Sequence, residues 1–193
     1  IRFIGVGTMA IAAVWTLIKI AGPIAKGMAE SFASSRNRKS GQQVDVEERD
    51  IPAPYVIGTI VALMIPIGLL LWDFVRGTDI HEHMPVLITV SVLFTLLVGL
   101  IIASVCGYMA GLIGASNSPI SSIGIIAVIV AALVIALVTR GTDAEPLSLV
   151  AYTLFTAAIV FGIATISNDN LQDLKTGQLV GATPWKQQVA LII

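Results

Sequence analysis

Five apolar runs, each close to the length that crosses a lipid bilayer, constrain this chain more than any other feature. An α-helix rises about 1.5 Å per residue, so about 20 apolar residues cross a hydrocarbon core of about 30 Å. Charged residues make up only 12% of the sequence, against about 25% in ordinary soluble domains. The sequence therefore predicts one all-α, polytopic transmembrane bundle over residues 1–193. The predicted spans cover about 3–24, 55–75, 86–105, 123–138 and 147–166, and a further span starts within 185–193.

The lysine and arginine residues predict which ends of the spans face the cytoplasm, because cytoplasmic loops carry an excess of these residues. A polar loop at 31–50 follows the first span, and a second polar stretch at 167–188 follows the fifth. With 31–50 in the cytoplasm, alternation of the spans puts seven of these residues inside and three outside. The inside set is Lys26, Arg36, Arg38, Lys39, Arg49, Lys175 and Lys186, and the outside set is Arg2, Arg76 and Arg140. The stretches 107–122 and 167–188 are then predicted to lie on the same, cytoplasmic side.

The segment Cys106–Gly124 is too polar to face lipid and is rich in residues that disfavour a helix. It contains four glycines, a proline, four serines and an asparagine. Glycine and proline both weaken a helix interior, and irregular backbone at membrane depth is tolerated only inside protein or along a water-filled cavity. We therefore expect a broken or re-entrant element that lines a substrate pathway. Close helix packing, which also uses small residues, is the alternative interpretation.

Acidic residues follow the fifth span in the segment Asn168–Lys175. If this segment is helical, Asp169 and Asp173 lie four residues apart on one face. Acids beside a membrane-embedded bundle are candidate carriers of protons or cations, and Asp173 could form an ion pair with Lys175. The alternative interpretation is the amphipathic start of a solvated loop.

Two arrangements suggest enzymatic or metal chemistry, and both lack essential partners. Ser116, within GASN, could be the nucleophile of an intramembrane protease, but the two histidines, His81 and His83, are predicted on the opposite side of the membrane. Those two imidazoles with Glu82 do not complete a metal site, so a solvated loop is favoured. The net charge of −1, without a basic cluster, argues against nucleic-acid binding. The sequence therefore predicts neither an enzyme nor a metal site.

The tetrapeptide RGTD occurs twice, at Arg76 and at Arg140. Four residues are too few to establish an internal repeat. The sequence alone therefore leaves the relation between the two segments open.

Three stretches give the sequence a family resemblance. They are RFIGVGTMAIAAVWTLIK at Arg2–Lys19, GYMAGLIGASNSPISSIGI at Gly107–Ile125 and NDNLQDLKTGQLVGATPWKQQ at Asn168–Gln188. In these stretches the chain resembles the oligopeptide transporter (OPT) superfamily, in its prokaryotic branch, which is related to the yellow-stripe-like carriers of metal chelates. The resemblance implies a proton-coupled symporter of short peptides, or of metal chelates, in the cell inner membrane. It also implies many more spans than are present here, so that the chain would be a C-terminal part of a longer protein.

The resemblance further implies functional residues, position by position. A substrate pathway is expected along Tyr108, Gly111, Gly114, Ser116, Asn117, Ser118 and Pro119, with Tyr108, Ser116 and Asn117 as the preferred contacts. Asp169, Asp173 and Lys175 are expected to serve coupling or gating. No cofactor is expected beyond the proton gradient as energy source. The expected partners are a small peptide or metal-chelate substrate, the lipid bilayer and the remaining transmembrane segments.

Overall fold

Six helices make up the structure, a computed structural model that describes residues 2–38, 49–80, 84–114, 120–142 and 144–192. The helices are α1 (Arg2–Arg38), α2 (Ala53–Arg76), α3 (Met84–Ile113), α4 (Ile120–Val138), α5 (Pro146–Leu179) and α6 (Pro184–Ile192). The described residues contain no β-strand. The prediction of an all-α membrane bundle is therefore confirmed.

Four of the described helices are long and apolar enough to cross a membrane, and their spans are Phe3–Gly27, Ala53–Arg76, Pro85–Leu112 and Pro146–Leu179. The fourth helix, α4, is shorter and contributes the apolar stretch Ile123–Val138. Every span predicted from hydropathy lies in a helix, but α1, α3 and α5 continue past the predicted inner ends. At about 1.5 Å per residue, the 34 residues of α5 extend well beyond a core of about 30 Å.

The predicted break at Cys106 is wrong in its first half, because α3 continues as a helix to Ile113. The helix ends at Gly114, where φ is 70°, a backbone conformation that glycine adopts without steric cost. The Gly114 amide still donates to the Ala110 carbonyl at 2.8 Å and closes the last turn. Helix α4 begins at Ile120, so the non-helical part of this segment is shorter than the sequence indicates.

The centre of the bundle is a parallel pair of helices, α3 and α5, which we call the α3–α5 seam. We call the helix ends that are predicted to face the cytoplasm inner, and the opposite ends outer. Leu87 contacts Tyr152 near the outer end, and Ser167 bonds Ala103 further in. Gly114 meets Lys175 at the inner end. The residue numbers on the two helices increase together along this series, so the helices run in the same direction although α4 separates them in the chain. Helices α2 and α4 pack beside this pair, and α1 packs on α4.

The two RGTD turns share one hydrogen bond, which the sequence could not establish, although their glycines differ in backbone conformation, with φ of −90° at Gly77 and 81° at Gly141. In the first turn, the Thr78 hydroxyl donates to the Val75 carbonyl at 2.7 Å. In the second, the Thr142 hydroxyl donates to the Thr139 carbonyl at the same 2.7 Å. Each turn connects an outward helix to an inward helix, so α2–α3 and α4–α5 are two similar helical hairpins.

A further sequence match extends the similarity of the hairpins into the spans. Pro85 is the second residue of α3, and Pro146 is the first residue of α5. Eight residues after each proline the tripeptide LFT begins, at Leu93 and at Leu154. The two prolines therefore provide a common starting point for comparing α3 with α5.

Candidate functional site

Three glycines, two on α3 and one directly after it, lie in the inner half of the α3–α5 seam. A Cβ atom on Gly107 would lie 2.9 Å from the Ser167 Oγ, and one on Gly111 would lie 3.6 Å from Leu171 Cδ1. A Cβ atom on Gly114 would lie 3.3 Å from Lys175 Cγ. Small residues let neighbouring helices approach closely, which stabilises helix pairs where lipid offers no hydrophobic drive. The glycine face of α3 is therefore filled by side chains of α5.

This packing bears on two residues predicted to line the pathway, Gly111 and Gly114. Both glycines face α5, as the packing interpretation of the segment requires. Tyr108, which is also predicted to line the pathway, lies on α3 and is half-buried. The other predicted pathway residues, Ser116, Asn117, Ser118 and Pro119, lie outside the described residues. The structure thus brings Gly111 and Gly114 of the predicted pathway against the predicted coupling segment.

The metal and protease alternatives depend on residues that the structure does not describe. His81, Glu82, His83 and Ser116 all lie outside the described ranges. Among the described residues, no group of three or more His, Cys, Asp and Glu side chains could hold a metal ion.

The predicted coupling residues lie on the inner extension of α5. Asp169 is exposed and accepts a hydrogen bond from the Asn168 Nδ2 at 3.3 Å. Asp173 is also exposed. The Lys175 Nζ donates to the Gln178 Oε1 at 3.0 Å rather than to Asp173. The expected ion pair fails because residues two apart on a helix do not face each other.

Asn168 is a buried polar residue that the sequence did not single out. Its side chain is 1% exposed, whereas its neighbour Asp169 is exposed. The available signal was the helical period, since Val160 and Ala164, two turns and one turn earlier, are also buried. The described acidic side chains are all exposed, whereas the Asn168 amide on the inner extension of α5 is buried.

Four hydroxyl groups form a second polar feature, in the outer half of the seam. We call Ser91, Thr95, Tyr152 and Thr156 the hydroxyl cluster; each is at most 1% exposed. The Tyr152 hydroxyl donates to the Leu87 carbonyl at 3.0 Å, and the Thr156 hydroxyl donates to the Ser91 Oγ at 3.4 Å. The Thr95 hydroxyl has no hydrogen-bond partner among the described residues.

The hydroxyl cluster lies near the middle of the membrane by helix length. Thr95 and Thr156 each follow the proline of their helix by ten residues, which corresponds to about 15 Å of rise and about half of the hydrocarbon core. The two threonines end the two LFT tripeptides. That repeated tripeptide was the sequence signal for the cluster, and hydropathy alone does not reveal it.

A third set of polar contacts joins distant parts of the chain at the inner face. The Trp185 amide donates to the Arg49 carbonyl at 2.9 Å. The Gln188 side chain accepts from the Ile51 amide at 2.9 Å and donates to the Asp50 carboxylate at 3.0 Å. These bonds hold the end of the α1–α2 connection against the start of α6. The connection before α2 and the segment after α5 therefore lie on the same side, as the lysine and arginine count predicts.

Comparison with known proteins identifies relatives along the whole chain. Residues 1–193 match the family described as OPT oligopeptide transporter protein. A protein of Haemophilus influenzae named "Putative oligopeptide transporter" is 45% identical over 205 aligned positions, which include 100% of this chain. The alignment covers 31% of that relative, so the chain spans about a third of its length. No solved structure matches the chain.

Proposed function

The chain belongs to the OPT oligopeptide transporter family, and from this membership we propose that it is part of a secondary active transporter that moves short oligopeptides by proton symport. The observation that carries the proposal is the 45% identity, over the whole chain, to a relative named for oligopeptide transport. The helices support a multi-pass membrane protein. The cell inner membrane is the proposed location. Membership of a transporter family also argues against the protease alternative.

The proposed substrate contacts lie where α3 ends. A peptide in transit needs partners for its backbone N–H and C=O groups, because unsatisfied polar groups are costly inside a membrane. Tyr108 on α3 and the hydroxyl and amide groups of Ser116 and Asn117 in the following segment would supply such partners. Gly114, which ends α3 and directly precedes this segment, lies beside Lys175 on the inner extension of α5, and this favours a site that opens toward the cytoplasm. In secondary transporters, access alternates when one bundle of helices moves against another around such a site.

The proposed proton carriers are exposed acids rather than buried ones. Asp169 and Asp173 lie on the part of α5 that extends beyond the predicted span, where cytoplasmic water can exchange protons with them. Asp169 already accepts a hydrogen bond from Asn168. Asp173 is therefore the preferred carrier, and Lys175, whose ammonium donates to Gln178, is proposed to serve gating.

Uptake into proteoliposomes tests this proposal. The whole transporter would be offered short peptides, chelated iron and chelated nickel, each with and without an inward proton gradient. We expect peptide accumulation only when the gradient is present. Accumulation of the chelates alone would instead assign the metal-chelate activity, and equal uptake without a gradient would identify a passive pore.

A further inference from the structure

The α3–α5 seam is continuous from the outer ends of the helices to the inner ends. Tyr152 contacts Leu87 at the outer end, and Lys175 contacts Gly114 at the inner end. These contacts enclose 28 residues of α3 and its end, or about 40 Å of helix. The two helices are not consecutive in the chain, so the seam is maintained by side-chain contacts rather than by a short connection.

Buried hydrogen bonds oppose separation of the two helices. The Tyr152 hydroxyl bonds the Leu87 carbonyl, and the Ser167 hydroxyl bonds the Ala103 carbonyl at 2.7 Å. Tyr152 is fully buried, and lipid provides no replacement for a lost partner. Opening the seam would therefore leave polar groups unsatisfied at membrane depth.

Interlocking shapes oppose sliding along the seam. A Cβ atom on Gly99 would lie 3.0 Å from Ile163 Cδ1, so the Ile163 side chain occupies the space that the glycine leaves. A shift of α5 by one turn would bring Ile163 against Thr95 or Ala103 instead. The same shift would move Leu171 away from Gly107, where a Cβ atom would lie 3.2 Å from Leu171 Cγ. Sliding thus creates an overlap at one level of the seam and loses a close fit at another.

The first two spans are packed differently. Only 6% of the apolar window of α1, and 6% of that of α2, is buried within the described structure, against 33% for both α3 and α5. Movement of α1 or α2 relative to the central pair therefore breaks fewer buried contacts than movement within the pair.

We infer that α3 and α5 move as one rigid body during transport, and that the movement giving alternating access occurs outside their seam. The inference rests on the proposed function for its context, because it assigns the seam a place in the transport cycle. The hydroxyl cluster and the glycines at 99, 107 and 111 act as positioning residues that keep the pair in register. Substrate and proton binding then shift the pair as a unit.

Disulfide cross-linking across the seam tests this inference. The natural Cys106 would first be changed to Ser, and the pair Gly107→Cys and Ser167→Cys would be introduced into the whole transporter. A Cβ atom on Gly107 lies within 2.9 Å of the Ser167 Oγ, so the two sulfurs can bond without moving either helix. The pair Gly99→Cys and Ile163→Cys repeats the test at a second level, in case the first pair impairs folding. The single-cysteine variants are the controls for oxidation.

Two readouts separate this inference from the proposed function. We expect oxidation to cause no loss of peptide uptake relative to the reduced protein, and we expect the same cross-linking yield with and without substrate and a proton gradient. Loss of uptake on oxidation that a reductant reverses would overturn the rigid pair, as would a yield that changes with the gradient. If the cysteine-free parent shows no peptide uptake, the proposed function fails, while the cross-linking yield still decides whether the seam is fixed.

Discussion

The two helical hairpins share a turn and a starting proline but differ in the side chains that their inward helices carry. Counted from Pro85 and Pro146, Gly107 is equivalent to Asn168, and Gly114 is equivalent to Lys175. The first hairpin places glycine at these positions, and the second places polar side chains. Two similar backbones can therefore pack together because one helix leaves space and the other fills it. The comparison indicates that the hairpins are complementary in side chains, while their turns share a threonine hydrogen bond.

The polar extension of α5 is the largest difference between the hairpins, and Asp173 tests whether it couples transport to protons. The equivalent residue in α3 is Leu112. We expect Asp173→Asn to reduce gradient-driven peptide accumulation to the level seen without a gradient, because the amide cannot carry the proton. Asp45→Asn, in the 31–50 loop, is the control and should leave accumulation unchanged. Equal effects of the two substitutions on accumulation in proteoliposomes would reject the assignment of Asp173.

A larger side chain at Gly107 tests whether α3 needs glycine there to pack against α5. We expect Gly107→Leu to destabilise the folded protein by about 1–3 kcal/mol or more, as overpacked interiors do, because the new side chain overlaps Ser167 and Leu171. The measurement is the midpoint of thermal unfolding in detergent. Gly162→Leu, on α5, is the matched control, since a Cβ atom there has no neighbour within 4 Å. Leucine also has the higher helix propensity, so Gly162→Leu should not lose stability, and a similar loss for both variants would show that the seam does not cause the effect.

The outer half of the seam depends on Tyr152, whose equivalent in the first hairpin is Ser91. Tyr152→Phe removes the hydrogen bond to the Leu87 carbonyl and keeps the ring. We expect a loss of about 0.6 kcal/mol in the free energy of unfolding, the average for hydrogen bonds between membrane helices, and at most about 1.7 kcal/mol. Denaturation of the purified protein would measure the loss. Tyr55→Phe, at a side chain that is 72% exposed, should change the stability little.

Substitutions in the two RGTD turns test the similarity of the hairpins most directly. They are expected to have the smallest effect on stability. Thr78→Val and Thr142→Val each remove one hydroxyl bond to the end of the preceding helix. We expect equal losses of about 0.5–1 kcal/mol for the two variants, measured as shifts in unfolding midpoint under identical conditions. A loss at one turn only would show that the shared sequence and threonine hydrogen bond do not make the two RGTD turns equally stable.

The sequence predicted much of this arrangement and erred where tertiary contacts decided the outcome. Hydropathy located every helix that crosses the membrane, and the charge count placed the 31–50 loop and the segment after α5 on one side. The break expected at Cys106 was misplaced because the cost of glycine in a helix was judged from the helix alone. At Gly107 and Gly111 the close approach of α5 compensates for that cost, and no local pattern reveals the approach.

The candidate functional residues also divide into those that the sequence predicted and those that only the structure revealed. Tyr108 and Asp169, both predicted from the family resemblance, occupy equivalent positions in the two hairpins, a relation that the sequence suggested only through RGTD and LFT. The expected pairing of Asp173 with Lys175 failed on helix geometry alone. Tyr152 was missed because a single polar residue in an apolar run gives no indication of whether it faces lipid, water or another helix. Asn168 was missed because it stands among other polar residues, and only the helical period continues the buried face of α5 to it.

By itself, the sequence determined that this chain forms membrane-spanning helices, which of their ends share one side, and to which transporter family it belongs. These properties follow from the length and composition of each segment, because the bilayer requires a fixed length of apolar helix with its backbone bonds satisfied internally. Only the tertiary structure decided that α3 and α5, separated by a helix in the chain, form the central parallel pair. Pairing between distant helices depends on the fit of particular side chains into particular spaces, such as Ile163 at Gly99, and that fit exists only once both helices are in place.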